Sequence, residues 1–184
     1  MNKQMMALMV TTILLATSTA GMAEERVRID MGAEEQSDVY ERACASCHMA
    51  YAPSMLPERS WKKLMSDLEN HFGDDAEVSE EVQQQVTAYL ARNAAEHDDK
   101  RYAKSMLGLL RDNDTPLRVS GTTYFKLMHD LVKPHMVGLN SKVKTFARCE
   151  VCHHQALQGK FNRMDARIPG YFKRGNRFVP DRLY

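Results

Sequence analysis

The sequence predicts an all-α fold on three observations. Apolar residues recur at helical spacing, most clearly Trp61, Leu64, Met65, Leu68 and then His71 or Phe72. No segment shows the strict alternation of a half-buried strand. One short motif, C-x-x-C-H, occurs twice, as Cys44, Cys47 and His48 and as Cys149, Cys152 and His153, each time at the end of a segment that reads as a helix.

Residues 1–23 read as a secretory signal. Lys3 is their only charge, an apolar run follows, and small residues close it at Gly21-Met22-Ala23. The run is short for a membrane span and no stop-transfer charges follow it. An uncleaved N-terminal anchor is the alternative reading. Residues 24–36 are polar, and Asp38 to His48 reads as a helix ending on the first motif. Pro53 and Pro57 break the chain. Ser60 is placed to cap a helix that runs through Phe72 and ends at Gly73, which sets His71 at the end of an apolar stripe.

Ser79 caps the next helix, with Glu80 and Glu81 in the first turn, where the helix dipole favours acids. Its buried face is Val82, Val86, Tyr89 and Leu90. The polar stretch 96–100 is an expected domain boundary. It divides the chain after the signal into 24–97, a first small unit, and 98–184, a second unit with a basic tail. Arg101 to Arg111 reads as helix and residues 112–116 as a turn. Thr122 or Thr123 opens a helix through Phe125, Met128 and His129, which Pro134 is expected to stop. Asn140 or Ser141 caps a last helix into Cys149. The tail from Arg167 has no clear period and is expected to wrap the surface.

Without residues 1–23 the chain has 24 basic and 24 acidic residues, because that segment removes one lysine and no acid. The charges are unevenly placed. Asp67 to Asp99 holds ten acids and one arginine, whereas Lys142 to Tyr184 holds ten Lys or Arg and three acids. Such a dipole can orient a charged partner, although solvated helix faces are the simpler explanation. No basic run is interleaved with aromatics, so nucleic acid is not an expected partner.

The two motifs use every cysteine in the chain. Two disulfides, a redox pair or one four-cysteine zinc site are the alternatives for an exported protein. More than a hundred positions separate the pairs, far beyond a zinc ribbon. The histidine directly after each pair points instead to covalent haem. Two thiols bond the macrocycle and the next residue binds its iron. Cys44, Cys47, Cys149 and Cys152 are then the attachment residues of two haem c groups, and His48 and His153 are iron ligands. Two large apolar macrocycles also explain how a chain with 8% aromatic residues builds a core.

The other side of each iron separates an electron carrier from a haem enzyme. Five histidines remain: His71, His97, His129, His135 and His154. His71 fits the first haem, 23 positions after His48 on an apolar face beside Phe72. His129 fits the second, 24 positions before His153 on a face with Phe125 and Val132. His135 is a near competitor. His97 lies in a charged segment. His154 adjoins His153 and cannot reach the same iron from the opposite side. Met65 and Met128 lie on apolar faces and are the rival ligands, although methionine at helical spacing is more often packing. A methionine ligand would raise the potential relative to two imidazoles.

With these residues in view, the chain resembles the small dihaem cytochromes c of proteobacteria from about Asp38 to Pro169. The matching pieces are CASCHMAY, PERSWKKLMSDLENHFGDDAEVSEE, TPLRVSGTTYFKLMHD, CEVCHHQALQGKF and RIP. The resemblance implies two low-spin haems, each held by two histidines, with His71 and His129 as the second ligands. It also implies electron donation to other haem proteins, including an oxygen-binding monohaem cytochrome, and association with a membrane cytochrome b. The first half alone resembles a monohaem cytochrome c, with Trp61, Met65, Tyr89 and Leu90 in the family's places. His135 and His154 depart from the pattern near the second haem.

The expected function is periplasmic electron transfer between a membrane-side donor and a soluble haem-protein acceptor, without enzymatic activity and without stable membrane insertion once the signal is cleaved. A dihaem peroxidase with one open haem and an electron-delivery subunit of a periplasmic reductase are the alternatives.

Overall fold

The computed structural model describes residues 33–162, 164–175 and 177–181. The segment read as a secretory signal lies outside the described residues. Seven α-helices and one two-stranded hairpin make up the regular structure among them. No helix among the described residues is long and apolar enough to cross a membrane.

The first half is built on three helices: α1 (Ala33–Cys44), α2 (Glu58–Met65) and α3 (Glu80–Arg92). Both α1 and α2 pack on α3. Their shared core is Tyr40, Leu56, Trp61, Met65, Val86, Leu90 and Ala94. Burying Leu56, Val86 and Leu90, each 1% exposed, contributes roughly 1.5–3 kcal/mol apiece. The polar atoms that enter with this core are partnered. Trp61 Nε1–H donates to the Pro53 carbonyl at 2.6 Å, and the Tyr40 hydroxyl donates to the Tyr51 carbonyl at 2.8 Å. Ser79 caps α3, its Oγ accepting from the Val82 N–H at 3.3 Å.

α2 is shorter than its apolar stripe suggests, ending at Met65. The residues that follow satisfy the backbone in other ways. Ser66 Oγ donates to the Lys63 carbonyl, and Asn70 Nδ2 donates to Asp67 Oδ1. Local side-chain bonds of this kind compete with a helix. Gln83 Nε2, reaching from α3, donates to the Met65 carbonyl at 2.5 Å and covers the open end of α2. His71 therefore lies in a turn beyond the helix, not on it. Phe72 and Gly73 take left-handed conformations there, with φ of 60° and 104°.

The second half uses shorter elements: α4 (Arg101–Gly108), α5 (Thr123–Met128), α6 (Pro134–Val137) and α7 (Cys149–Cys152). Ala95, Ala103 and Met106 form a small cluster beneath α4. Thr122, 2% exposed, caps α5, its Oγ1 accepting from the Phe125 N–H at 3.1 Å. Pro134 opens α6 instead of closing α5, because proline lacks only an N–H that the first turn leaves unbonded. The expected helix from Asn140 into Cys149 is a series of turns followed by the four residues of α7. The tail is more regular than expected: β1 (Tyr171–Arg174) pairs antiparallel with β2 (Arg177–Pro180), Lys173 opposite Phe178.

Contacts cross between the residues before and after position 97. Arg59 Nε donates to the Asp114 carbonyl at 2.7 Å. Ser54 and Tyr102 share a hydroxyl hydrogen bond. The Tyr51 hydroxyl donates at 2.7 Å to the carbonyl of Ala147, two residues before Cys149.

Candidate haem sites

The two motifs end helices of different lengths. Cys44 closes α1 and Cys47 follows in an exposed turn, whereas Cys149 and Cys152 begin and end α7. No disulfide joins the four thiols. Burial pushes the Cys44 and Cys152 thiols up and that of Cys149 to about 11, so they rest in the neutral form. Among the described residues no group of three or more His, Cys, Asp or Glu is placed to hold a metal ion. The histidines are arranged in pairs instead.

In the first pair the rings of His48 and His71 lie nearly parallel, with centroids 6.2 Å apart and planes 20° apart. The N–H at His48 Nδ1 donates to the Met49 carbonyl at 2.7 Å, which leaves Nε2 with its lone pair. Tyr51 packs beside His48 at 5.0 Å, and Phe72 meets His71 edge-on at 4.8 Å. His71 Nδ1 is buried without a hydrogen-bond partner. Burial, then the neighbouring His48 and Arg118, lowers the His71 pKa and keeps that ring neutral.

In the second pair His129 and His153 have centroids 6.0 Å apart, but their planes cross at 78°. His129 is the C-cap of α5. Its Nδ1–H donates to the Phe125 carbonyl one turn back at 2.9 Å, again freeing Nε2. Phe125 stacks on it at 3.9 Å, and Phe146 closes edge-on against Phe125. His153 Nδ1 is buried without a partner, and Phe161 lies 5.5 Å from its ring. Burial is the first cause of lowered pKa values at both histidines.

These features fit haem. Two imidazoles bound trans to one metal at about 2 Å, each ring centre roughly 1 Å behind its nitrogen, have centroids about 6 Å apart. A lone histidine pair is a poor site for a bare ion, but it would complete the coordination of an iron whose macrocycle supplies the other donors. Metal binding requires neutral imidazole, the state that burial favours here. At the second site a cavity of about 300 Å³ is lined by Cys149, Cys152, His129 and His153, with Val143, Phe161 and Ile168 among its apolar walls.

The remaining sequence candidates lie elsewhere. His97 is exposed, 3.6 Å from Glu58. His135 is exposed beside Tyr171, and His154 is exposed. None of the three has a ring contact with a motif histidine. Met65 is buried in the first core. Met128 is 48% exposed and lines the second cavity. Sequence reasoning missed the cavity walls drawn from the tail, including Phe161, Ile168 and Phe178. The dipeptide Gly175-Asn176 between two short strands was the available signal for the hairpin. It also missed Arg118, whose guanidinium sits over the Phe72 ring at 3.7 Å from its centroid.

Comparison with known proteins agrees with this geometry. Residues 40–161 match the family described as dihaem cytochrome c. Among solved structures, a dihaem cytochrome c from Rhodobacter sphaeroides is 41% identical, with a TM-score of 0.60, and the match covers 67% of this chain and 95% of that one. A dihaem cytochrome c from Shewanella baltica OS155 is 32% identical, also with a TM-score of 0.60, over 73% of this chain and 94% of its own. A further Rhodobacter sphaeroides structure is 38% identical, with a TM-score of 0.53, over 67% and 96%. A search of curated proteins finds no match. The chain belongs to the dihaem cytochrome c family and is a cytochrome of electron-transfer type with two haem c groups.

Proposed function

We propose that this cytochrome is a periplasmic carrier that takes electrons from a membrane-side donor, such as a cytochrome b, and passes them to a soluble haem protein. The observation that supports this most directly is the pairing of each motif histidine with a second histidine about 6 Å away. In this reading Cys44, Cys47, Cys149 and Cys152 form the thioether bonds, His48 and His71 bind the first iron, and His153 and His129 bind the second. When bound, haem supplies a one-electron couple at iron. With two histidines on each iron, neither haem would offer a place for oxygen or peroxide, which supports transfer without catalysis. Phe125, Phe146 and Phe161 give the second pair apolar surroundings, which would limit reorganisation when charge moves. Residues 24–97 and 98–184 act as two units holding one haem each. Export of the chain by its first 23 residues accounts for the periplasmic location.

The angles between the rings give each site its own electronic character. With haem bound, the near-parallel imidazoles of the first site would act on the same iron d orbital and split it from its neighbour. The crossed rings of the second site would act on both orbitals alike and leave them close in energy. The first haem then gives an ordinary rhombic low-spin signal, and the second a more anisotropic one.

The hairpin supports a docking role near the second haem. Lys173 and Phe178 line that cavity, and the adjacent positions place 47%-exposed Phe172 beside exposed Arg174 and Arg177. An acidic redox protein matches this surface. Stopped-flow oxidation of the reduced protein by an acidic monohaem cytochrome tests both transfer and docking. Removing three charges with Lys173→Gln, Arg174→Gln and Arg177→Gln is expected to slow the reaction about tenfold at low salt and little at high salt. An equal rate at low salt would remove the hairpin from the docking surface.

A further inference from the structure

Arg118 belongs to the segment leading into α5, yet its side chain reaches the first haem site. Its guanidinium lies over Phe72, the residue after His71. Phe72 in turn meets the His71 ring edge-on at 4.8 Å, so the cation lies one ring away from that histidine. The backbone beneath it is held by the Gly121 N–H, which donates to the Arg118 carbonyl at 2.9 Å. Arg59, Arg111 and Arg148 each pair with a carboxylate, on Glu96, Asp114 and Glu150. Arg118 has no carboxylate within ion-pair distance among the described residues. It faces an acidic neighbourhood nonetheless, because the His71 turn lies between Asp67, Glu69, Asp74, Asp75 and Glu77, all exposed.

We propose that Arg118 is a positioning and charge-setting residue for the first haem, holding its reduction potential above the value the surrounding acids impose. Oxidation adds one positive charge at iron. A cation beside the second axial ligand opposes that charge and favours the reduced state, whereas Asp74 acts in the opposite sense. The guanidinium is exposed, so solvent and salt weaken the effect without removing it. Because Arg118 stands 11 positions before His129, a residue from the second site's own segment tunes the first.

The proposal rests on His71 being the first haem's ligand. The test is a redox titration of the holoprotein followed by electron paramagnetic resonance, which reads each haem through its own signal. Arg118→Gln is expected to shift the ferric-to-ferrous equilibrium of the near-parallel haem about tenfold toward ferric, about 59 mV for one electron. The crossed-ring haem is expected to move less. Arg118→Lys keeps the charge and is expected to retain most of the wild-type potential. The shift of the glutamine variant shrinks at high salt. An unmoved first potential in Arg118→Gln overturns the proposal. So does an equal loss in both variants, which would assign the effect to packing on Phe72. If His71 is not a ligand, the wild type already lacks the near-parallel low-spin signal, so that failure is seen before any variant is made.

Discussion

A Cys149→Ser, Cys152→Ser protein is expected to carry one haem and to lose the fold of its second half. The first half has its own core of Tyr40, Leu56, Trp61, Met65, Val86, Leu90 and Ala94. The second half contributes only Ala103 and Met106 to the small cluster with Ala95, and has helices of six, four and four residues after α4. Helices that short do not persist without tertiary packing. Their apolar faces converge on the cavity of about 300 Å³. Without haem those apolar faces are left against water, and the net stability of a small domain, about 5–15 kcal/mol, leaves little to offset that. Limited proteolysis with mass and haem-content analysis reads the outcome. A protected fragment ending near residue 97 with one haem is expected. Full protection through the hairpin would show that the second half folds without its cofactor.

His129→Ala is expected to leave both haems attached but to convert one from low-spin to high-spin. The imidazole is held by a hydrogen bond to Phe125 and by stacking at 3.9 Å, and among the described residues it is the one histidine whose ring contacts that of His153. Alanine leaves the iron open on that side. The reduced variant should bind one carbon monoxide per chain, whereas the reduced wild type binds none. His135→Ala and His154→Ala are the controls. Both residues are exposed, and both variants should keep the wild-type spectrum. A high-spin haem in either control, with His129→Ala unchanged, would reassign the ligand. The same change at His71 should open the first haem instead.

The attachment motifs were legible because covalent haem chemistry fixes residue type and spacing within five positions. The sequence pointed to His71 beside His48, and their rings lie 6.2 Å apart, but it placed His71 on a helix. Periodicity extended α2 through Phe72, whereas Ser66, Asp67 and Asn70 turn the chain after Met65 with local hydrogen bonds. Pro134 was read as a stop, although proline is equally suited to a first turn, the place it occupies in α6. The tail showed no helical period because it is a hairpin, and its Phe178 and Lys173 reach a cavity formed by residues distant in sequence. Arg118 lies 46 positions from Phe72, and no local pattern announces a cation–π contact at that range. What sequence alone could not supply was the relation between elements, including the 20° and 78° ring angles that distinguish the two sites.

The most direct test of the account is electron paramagnetic resonance of the oxidised protein, with near-infrared magnetic circular dichroism on the same sample to identify the axial ligands. Two low-spin haems are expected, both with two imidazoles, one signal rhombic and the other highly anisotropic. A high-spin haem, or a haem bound by methionine, would contradict the ligand assignment at that site.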